Sequence, residues 1–328
     1  MGVVLTVDIL IVGAGPAGLY GAYYAGFRGL RTAVVDSLPE PGGQVTALYP
    51  EKLIFDVAGF PEVRGRELVE RLVAQAAPFA PHYVLGEQAV SLTRPEEESL
   101  LVGTDAGTDI LCKAVIVTGG IGTFSPRPLP VGDGWLGRGL TYFVPRLDEH
   151  AEKDVVIVGG GDSAFDWALN LHPLARSVTL VHRRDRFRAH EHTIRQVHGL
   201  GVPVLTFTEV DRLHGDNGWL TEVTLRHNKS GDVRTLPAQS VVAALGFTAD
   251  LGPLASWGLR IEKKQLPVAS TMATNLPRVF AAGDITDYPG KLRLIATGFG
   301  EVATAVCNAA VAIDPKAHLF PGHSSEAG

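Results

Sequence analysis

Cysteine is scarce: Cys112 and Cys307 are the only two in 328 residues. Two lone thiols far apart in sequence make neither a disulfide framework nor a C-x-x-C pair. That excludes a disulfide-stapled scaffold and a dithiol motif, and leaves a reduced, cytoplasmic protein as the expectation. Long apolar runs are also missing. The opening stretches Val3–Leu5 and Ile9–Val12 run into glycines, too short to cross a bilayer and without a basic leader region, so neither membrane span nor signal peptide is expected. Positive charge is not in excess. A net charge of -6 gives no general attraction for nucleic acid or an anionic membrane. No low-complexity or linker segment interrupts the chain, and its length is about twice that of a common domain, so two domains are expected.

What the chain has in quantity is glycine, 38 residues, and the clusters repeat one device. Val7–Val12 is apolar except for Asp8, as expected of a parallel strand covered on both faces. Gly13-Ala14-Gly15-Pro16-Ala17-Gly18 follows, then a small-residue helix to about Arg28 and a strand Arg31–Val35 ending at Asp36. In G-x-G-x-x-G the first glycine permits a tight turn, the second lets backbone approach a pyrophosphate, and the third lets the helix pack close. Asp36, 23 positions after Gly13, falls where a carboxylate accepts hydrogen bonds from ribose hydroxyls. A strand Val279–Ala282 ending in Gly283-Asp284 places a second acid where it can meet a flavin's ribitol chain, and this favours FAD over NAD at the first motif.

The second copy differs in its reader. Val155–Val158 leads to Gly159-Gly160-Gly161-Asp162-Ser163-Ala164, a helix through about Leu171, and a strand Val178–Val181. That strand ends in His182-Arg183-Arg184, with Arg188 four residues on. Guanidinium groups bind a 2′-phosphate that a carboxylate would repel, so NADP(H) is expected here. Between the copies, Leu85–Val102 and Thr108–Val117 read as β segments; after the second, Val204–Val242 reads as a β meander and Thr297 to Ala312 as a helix. Glycine-bearing crossovers at Thr118–Gly122 and Ala244–Phe247 flank the second copy. The predicted class is therefore α/β: two Rossmann-like, three-layer nucleotide-binding domains. An NADPH domain (120–245) is inserted in a discontinuous FAD domain (1–119 and 246–328).

Gly13–Gly18, Gly42-Gly43-Gln44, Gly159–Ala164, His182–Asp185 with Phe187-Arg188-Ala189, and Gly283-Asp284 together resemble the thioredoxin reductase-like fold family. That family's C-x-x-C is absent: the equivalent stretch reads Thr141-Tyr142-Phe143-Val144-Pro145. Ala47–Lys52, Asp56–Pro61, Gly290–Glu301 and the tail His323-Ser324-Ser325 are more similar to the ferredoxin/flavodoxin–NADP reductase subgroup, over essentially the whole chain. The resemblance implies that FAD meets Gly13, Gly15, Pro16, Ala17 and Gly18, with Asp36 and Val90 at its adenosine end. It implies Gly43, Gln44 and Asp284 along the middle, and Tyr49, Phe124 and Ser325 near the isoalloxazine. It further implies a homodimer in which His323 covers the other subunit's flavin, opposite Tyr49. For NADP(H) it implies Gly159, Gly161, Asp162, Ser163, Ala164, His182, Arg183, Arg184 and Arg188.

The expected reaction is hydride transfer from NADPH to flavin N5, followed by single-electron delivery to ferredoxin or flavodoxin. The cofactor carries that chemistry, so no protein dyad or triad is required. No metal site is expected; His190 and His192 are two apart and do not share a helix face. Candidate docking cations for an acidic carrier are Lys52, Arg64, Arg66, Lys291 and Arg293. Two alternatives stay open: an NADPH-dependent reductase of a low-molecular-weight disulfide, which needs a reactive cysteine, and a non-catalytic flavin redox sensor.

Overall fold

The computed structural model describes residues 4–323. Its contacts divide the chain into two compact units. One holds the chain up to Ala47, Leu53–Thr123, and Ala249 onward; the other holds Leu48–Lys52 and Phe124–Thr248.

In the first unit the chain starts with β1 (Val4–Thr6), β2 (Ile9–Val12), α1 (Pro16–Phe27) and β3 (Thr32–Asp36). After α2 (Gly65–Ala76) come β4 (His82–Leu85), β5 (Ala89–Glu96), β6 (Ser99–Thr104), β7 (Asp109–Cys112) and β8 (Ala114–Val117). A parallel sheet runs in the order of the later strand Val279–Ala281, then β8, β2, β3 and β4, while β1, β7, β6 and β5 form a second sheet. Side chains alternate across the parallel sheet with the period of two that strands impose. Leu10, Val35, Val115 and Val117 face the second sheet. Ile9, Ile11, Val34 and Ile116 face the helices. Three layers result.

The strand expected over Val7–Val12 is confined to Ile9–Val12, and a separate strand, Val4–Thr6, precedes it in the other sheet; between the two lies Asp8. Its carboxylate accepts the Arg31 backbone N–H at 3.1 Å and Lys113 Nζ at 2.9 Å. Burial pushes its carboxyl up, but the hydrogen bonds from Lys113 and Arg31 outweigh it and hold the pKa below the ordinary value.

The second unit repeats the plan. It contains β9 (Leu140–Thr141), β10 (Asp154–Val158), α3 (Asp162–Leu171), β11 (Ser177–Val181), α4 (Glu191–Gly199) and β12 (Val204–Leu205). Then come β13 (Thr208–Asp216), β14 (Trp219–His227), β15 (Val233–Pro237) and β16 (Ser240–Ala243). The parallel order is β9, β16, β10, β11, β12, and β13–β15 form an antiparallel sheet. Val155 and Ile157 pack on Phe165, Trp167 and Leu171 of α3, whereas Val156 and Val158 pack on Leu213, Val223 and Leu225. The meander expected over Val204–Val242 is thus narrower: its two ends, β12 and β16, belong to the parallel sheet.

The first unit closes with β17 (Val279–Ala281) and α5 (Ile295–Ile313), which begins two residues before the expected Thr297. Among the described residues α5 is the one helix long and apolar enough to cross a membrane. Its buried positions Gly298, Val302, Ala305, Val306, Ala309 and Ala310 recur at helical spacing and pack on α1 and the sheet, as in a core helix.

Candidate functional site

The first glycine loop is built from the end of β2. Gly13 has φ +115, where a side chain is strained, and a Cβ there would lie 2.6 Å from the Thr118 carbonyl oxygen. A Cβ on Gly18 would collide with the Gly13 carbonyl oxygen. Around Gly15, by contrast, a Cβ would meet nothing within 4 Å. Gly15 caps α1 without a side-chain hydrogen bond, and Pro16 begins the helix. The first turn therefore presents free N–H groups and the positive helix end to open space, which fits a pyrophosphate.

Three neighbours hold this loop. The Thr118 hydroxyl donates to the Gly13 carbonyl at 2.8 Å. Asp36, ending β3, accepts the Ala14 N–H at 2.6 Å and the Leu38 N–H at 2.9 Å. Burial raises the Asp36 pKa against the pull of those two donors, and its remaining lone pairs can accept hydroxyls. Gly43 lies over Gly15, with a would-be Cβ 3.1 Å from the Gly15 Cα, and the amide of Gln44 reaches to Gly120. Val90 sits at a register shift in β5, so it is out of step with the ladder to β6.

Gly283 (φ +81), Gly298 and Ala17 form a small-residue contact: a Cβ on either glycine would sit 3.4 or 3.5 Å from the Ala17 Cβ. The starts of α1 and α5 thus meet at the Gly283-Asp284 turn. The Asp284 carboxylate accepts no hydrogen bond from the described residues; burial raises its pKa, with Lys291 and Arg293 opposing and Glu301 adding to the rise. Phe124 lies in the short strand Thr123–Pro126, with its side chain outside the described set, and Ser325 lies outside the described residues. His323 rests edge-on to Phe320, with ring centroids 5.2 Å apart. The tail before it is tied to the end of α1, where Arg28 donates to the carbonyls of His318 and Leu319 at 2.6 and 2.7 Å. Tyr49 packs against the helix-side core of the second unit.

In the second loop, between β10 and α3, Gly161 caps α3 and is as open as Gly15. A Cβ on Gly159 would lie 2.5 Å from the Ala244 carbonyl and 2.9 Å from the Ala164 Cβ. Gly160 is covered by the His182 ring, which a Cβ there would strike. The Arg188 N–H donates to the Gly160 carbonyl at 2.7 Å, and Asp162 accepts the His190 N–H at 2.8 Å. His182 Nε2 donates to the Arg186 carbonyl at 3.1 Å. Burial lowers the His182 pKa, and Arg183 and Arg184 lower it further, against that hydrogen bond. Arg183, Arg184, Arg186 and Arg188 are exposed, and none has a carboxylate partner among the described residues. They are free to meet a phosphate.

Sequence reasoning missed Thr118, Arg186 and Glu301. Thr118 was legible only as part of a crossover. It also misassigned Lys291, which is a buried ion-pair partner of Glu301 with its side chain 5% exposed, so it is no docking cation. Lys52 is engaged by Asp166 at 2.5 Å. Among the described residues no cluster of three or more metal-ligating side chains occurs.

A family profile described as pyridine nucleotide-disulphide oxidoreductase matches residues 7–309. A "Ferredoxin--NADP reductase" of Frankia casuarinae is 62% identical over 98% of this chain and 99% of its own. One of Salinispora tropica is 64% identical, over 98% of each. The thioredoxin reductase of T. acidophilum superposes with a TM-score of 0.78 at 24% identity, covering 94% of this chain and 97% of its own, which shows the fold. The chain belongs to the pyridine nucleotide-disulphide oxidoreductase family. Within it, this is a member of the thioredoxin-reductase-like ferredoxin–NADP reductases.

Proposed function

We propose that this chain is an FAD-dependent ferredoxin–NADP(+) reductase, with FAD on the first unit and NADPH on the second. When bound, NADPH would supply hydride and FAD would accept it at N5 and hand the electrons on singly to ferredoxin or flavodoxin. The observation that carries the reading is the pair of open helix starts, Gly15 and Gly161, followed by opposite readers: Asp36 after one and uncommitted arginines after the other. The full-length relatives named ferredoxin–NADP reductase support it.

In this reading the first turn of α1 holds the FAD pyrophosphate, Asp36 accepts the ribose hydroxyls, Val90 meets the adenine, and Asp284 and Gln44 meet the ribityl segment. The family resemblance assigns Tyr49, Phe124 and Ser325 to the flavin ring and His323 to the flavin of a second copy. In the second loop the first turn of α3 holds the NADPH pyrophosphate, while Arg183, Arg184 and Arg188 read the 2′-phosphate. The cytoplasm supplies both carrier and nicotinamide.

The disulfide-reductase alternative is disfavoured by both thiols. Cys112 is buried, its thiol pushed up to about 12 by that burial. Cys307 lies 12 residues into α5, about 18 Å along the helix from its start. The test is to add stoichiometric NADPH to the purified yellow protein, then oxidised ferredoxin or flavodoxin. Rapid bleaching followed by carrier reduction is expected. A colourless protein unable to take up FAD overturns the reading, and yellow protein indifferent to NADPH favours a flavin sensor.

A further inference from the structure

The first unit buries an ion pair that the proposed reaction does not use. Lys291 and Glu301 have side chains 5% and 4% exposed, with Nζ and Oε1 2.5 Å apart. Glu301, in the second turn of α5, also accepts the Gly283 N–H at 2.7 Å and the Tyr288 hydroxyl at 2.5 Å. Lys291 in turn donates to the Gly283 carbonyl at 3.0 Å. The anion therefore holds the N–H of Gly283 and the cation holds its C=O. This glycine has φ +81 and directly precedes Asp284. Charge-assisted bonds are short and directional, so the turn is fixed at both polar groups.

We propose that Lys291 and Glu301 are a positioning pair for FAD: they fix the Gly283-Asp284 turn and, as a neutral couple, set the field at the flavin. The inference rests on the FAD reading above. Stability alone does not explain the pair. Removing two charges from water costs several kcal/mol per ion, and apolar residues of similar volume commonly do as well or better. What an apolar pair cannot do is grip a peptide N–H and its C=O together. The charges also reach the adjacent carboxylate in opposite senses: Lys291, with Arg293, favours the ionised form of Asp284, and Glu301 opposes it. Losing one partner leaves an unbalanced charge beside the turn.

The test uses FAD affinity of the apoprotein, by fluorescence titration, and flavin midpoint potential, by equilibration with a dye of known potential. Glu301→Gln leaves an uncompensated ammonium that favours electron uptake, so the potential moves positive. Lys291→Met leaves a carboxylate, so it moves negative. Both weaken FAD at least tenfold, and the double variant returns towards the wild-type potential while still binding FAD weakly. A purely structural role predicts looser binding without opposite shifts. Shifts of the same sign, or FAD held within twofold by both variants, overturn the proposal. If a single variant does not fold, the double variant decides: wild-type affinity there also overturns it. Wild-type apoprotein that takes up no FAD would instead sink the underlying cofactor reading.

Discussion

The two glycine loops share a scaffold down to its foundations. In each unit an acid at the foot of the central strand binds an arginine that precedes the next strand: Asp8 with Arg31 at 3.2 Å, Asp154 with Arg176 at 3.1 Å. In each, the second glycine caps a helix over open space. The copies part at two places. After the first, Asp36 reaches back to the Ala14 N–H, so the proposed ribose reader is also a strut of the loop. After the second, the strut is the Arg188 backbone N–H on Gly160 with the His182 ring above it, and the guanidiniums are left uncommitted. The lesson is that one backbone cradle is used twice, and the copies differ in a few side chains beyond the second strand.

The loops also differ in how tightly the helix is drawn in, and this difference should break first. At Gly18 a methyl group meets the Gly13 carbonyl oxygen and, at 2.8 Å, the Thr118 hydroxyl, neither of which can retreat without opening the loop. Gly18→Ala is therefore expected to cost about 1–3 kcal/mol of stability or more by overpacking, and to abolish FAD retention. The second loop already carries alanine at the matching place, so Ala164→Gly should cost only about 1 kcal/mol from helix propensity and leave NADPH binding nearly intact. Thermal melts with flavin content measure both. A Gly18→Ala protein that keeps its flavin would show that the first loop is not the cradle.

Next in size is the exchange of readers. Arg183→Ala or Arg184→Ala should weaken NADPH by roughly 1–3 kcal/mol, the range for a lost hydrogen bond to a charged group, with NADH unchanged. Asp36→Asn should do the reverse: FAD loosens, because the amide cannot serve both N–H donors as well as ribose, while NADPH affinity stays. Steady-state kinetics with each nicotinamide, beside FAD titration of the apoprotein, tests the pair. Equal losses of NADPH and NADH would mean that the arginines do not read the 2′-phosphate.

Both loops were legible in the sequence because glycine spacing and strand periodicity are local. So was the charge change from Asp36 to His182-Arg183-Arg184. What stayed hidden is non-local. Thr118 is 105 residues from the Gly13 carbonyl it clamps, and nothing in its neighbourhood says so. Lys291 reads as one more surface cation until α5 brings Glu301 beneath it. That Val4–Thr6 and Ile9–Val12 join different sheets was hidden too, because sheet membership depends on partners far along the chain, Asp109–Leu111 for one and Ala114–Val117 for the other. The helices α2 and α4 carry no glycine motif, so a motif-led reading passes over them.

The smallest expected effect is on pH, and it separates the carboxylates of the first unit from the arginines of the second. Burial raises both Asp36 and Asp284 above the ordinary carboxylate value of 3.8. Between 3.8 and those raised values the folded apoprotein holds more protons than the unfolded chain. Its stability from these groups therefore falls as pH rises through that window and is greatest below it. FAD affinity should run the other way, because flavin hydroxyls donate best to an ionised carboxylate: it weakens as pH falls through the same window, by at most about tenfold per pH unit for each group. Asp284→Asn and Asp36→Asn should each flatten that acid limb, whereas NADPH binding through guanidiniums keeps its phosphate contacts there. Fluorescence of released FAD from pH 7 downward follows the limb. Release that begins only below 3.8 in the wild type would show that neither carboxylate contributes to holding FAD through its ionised form.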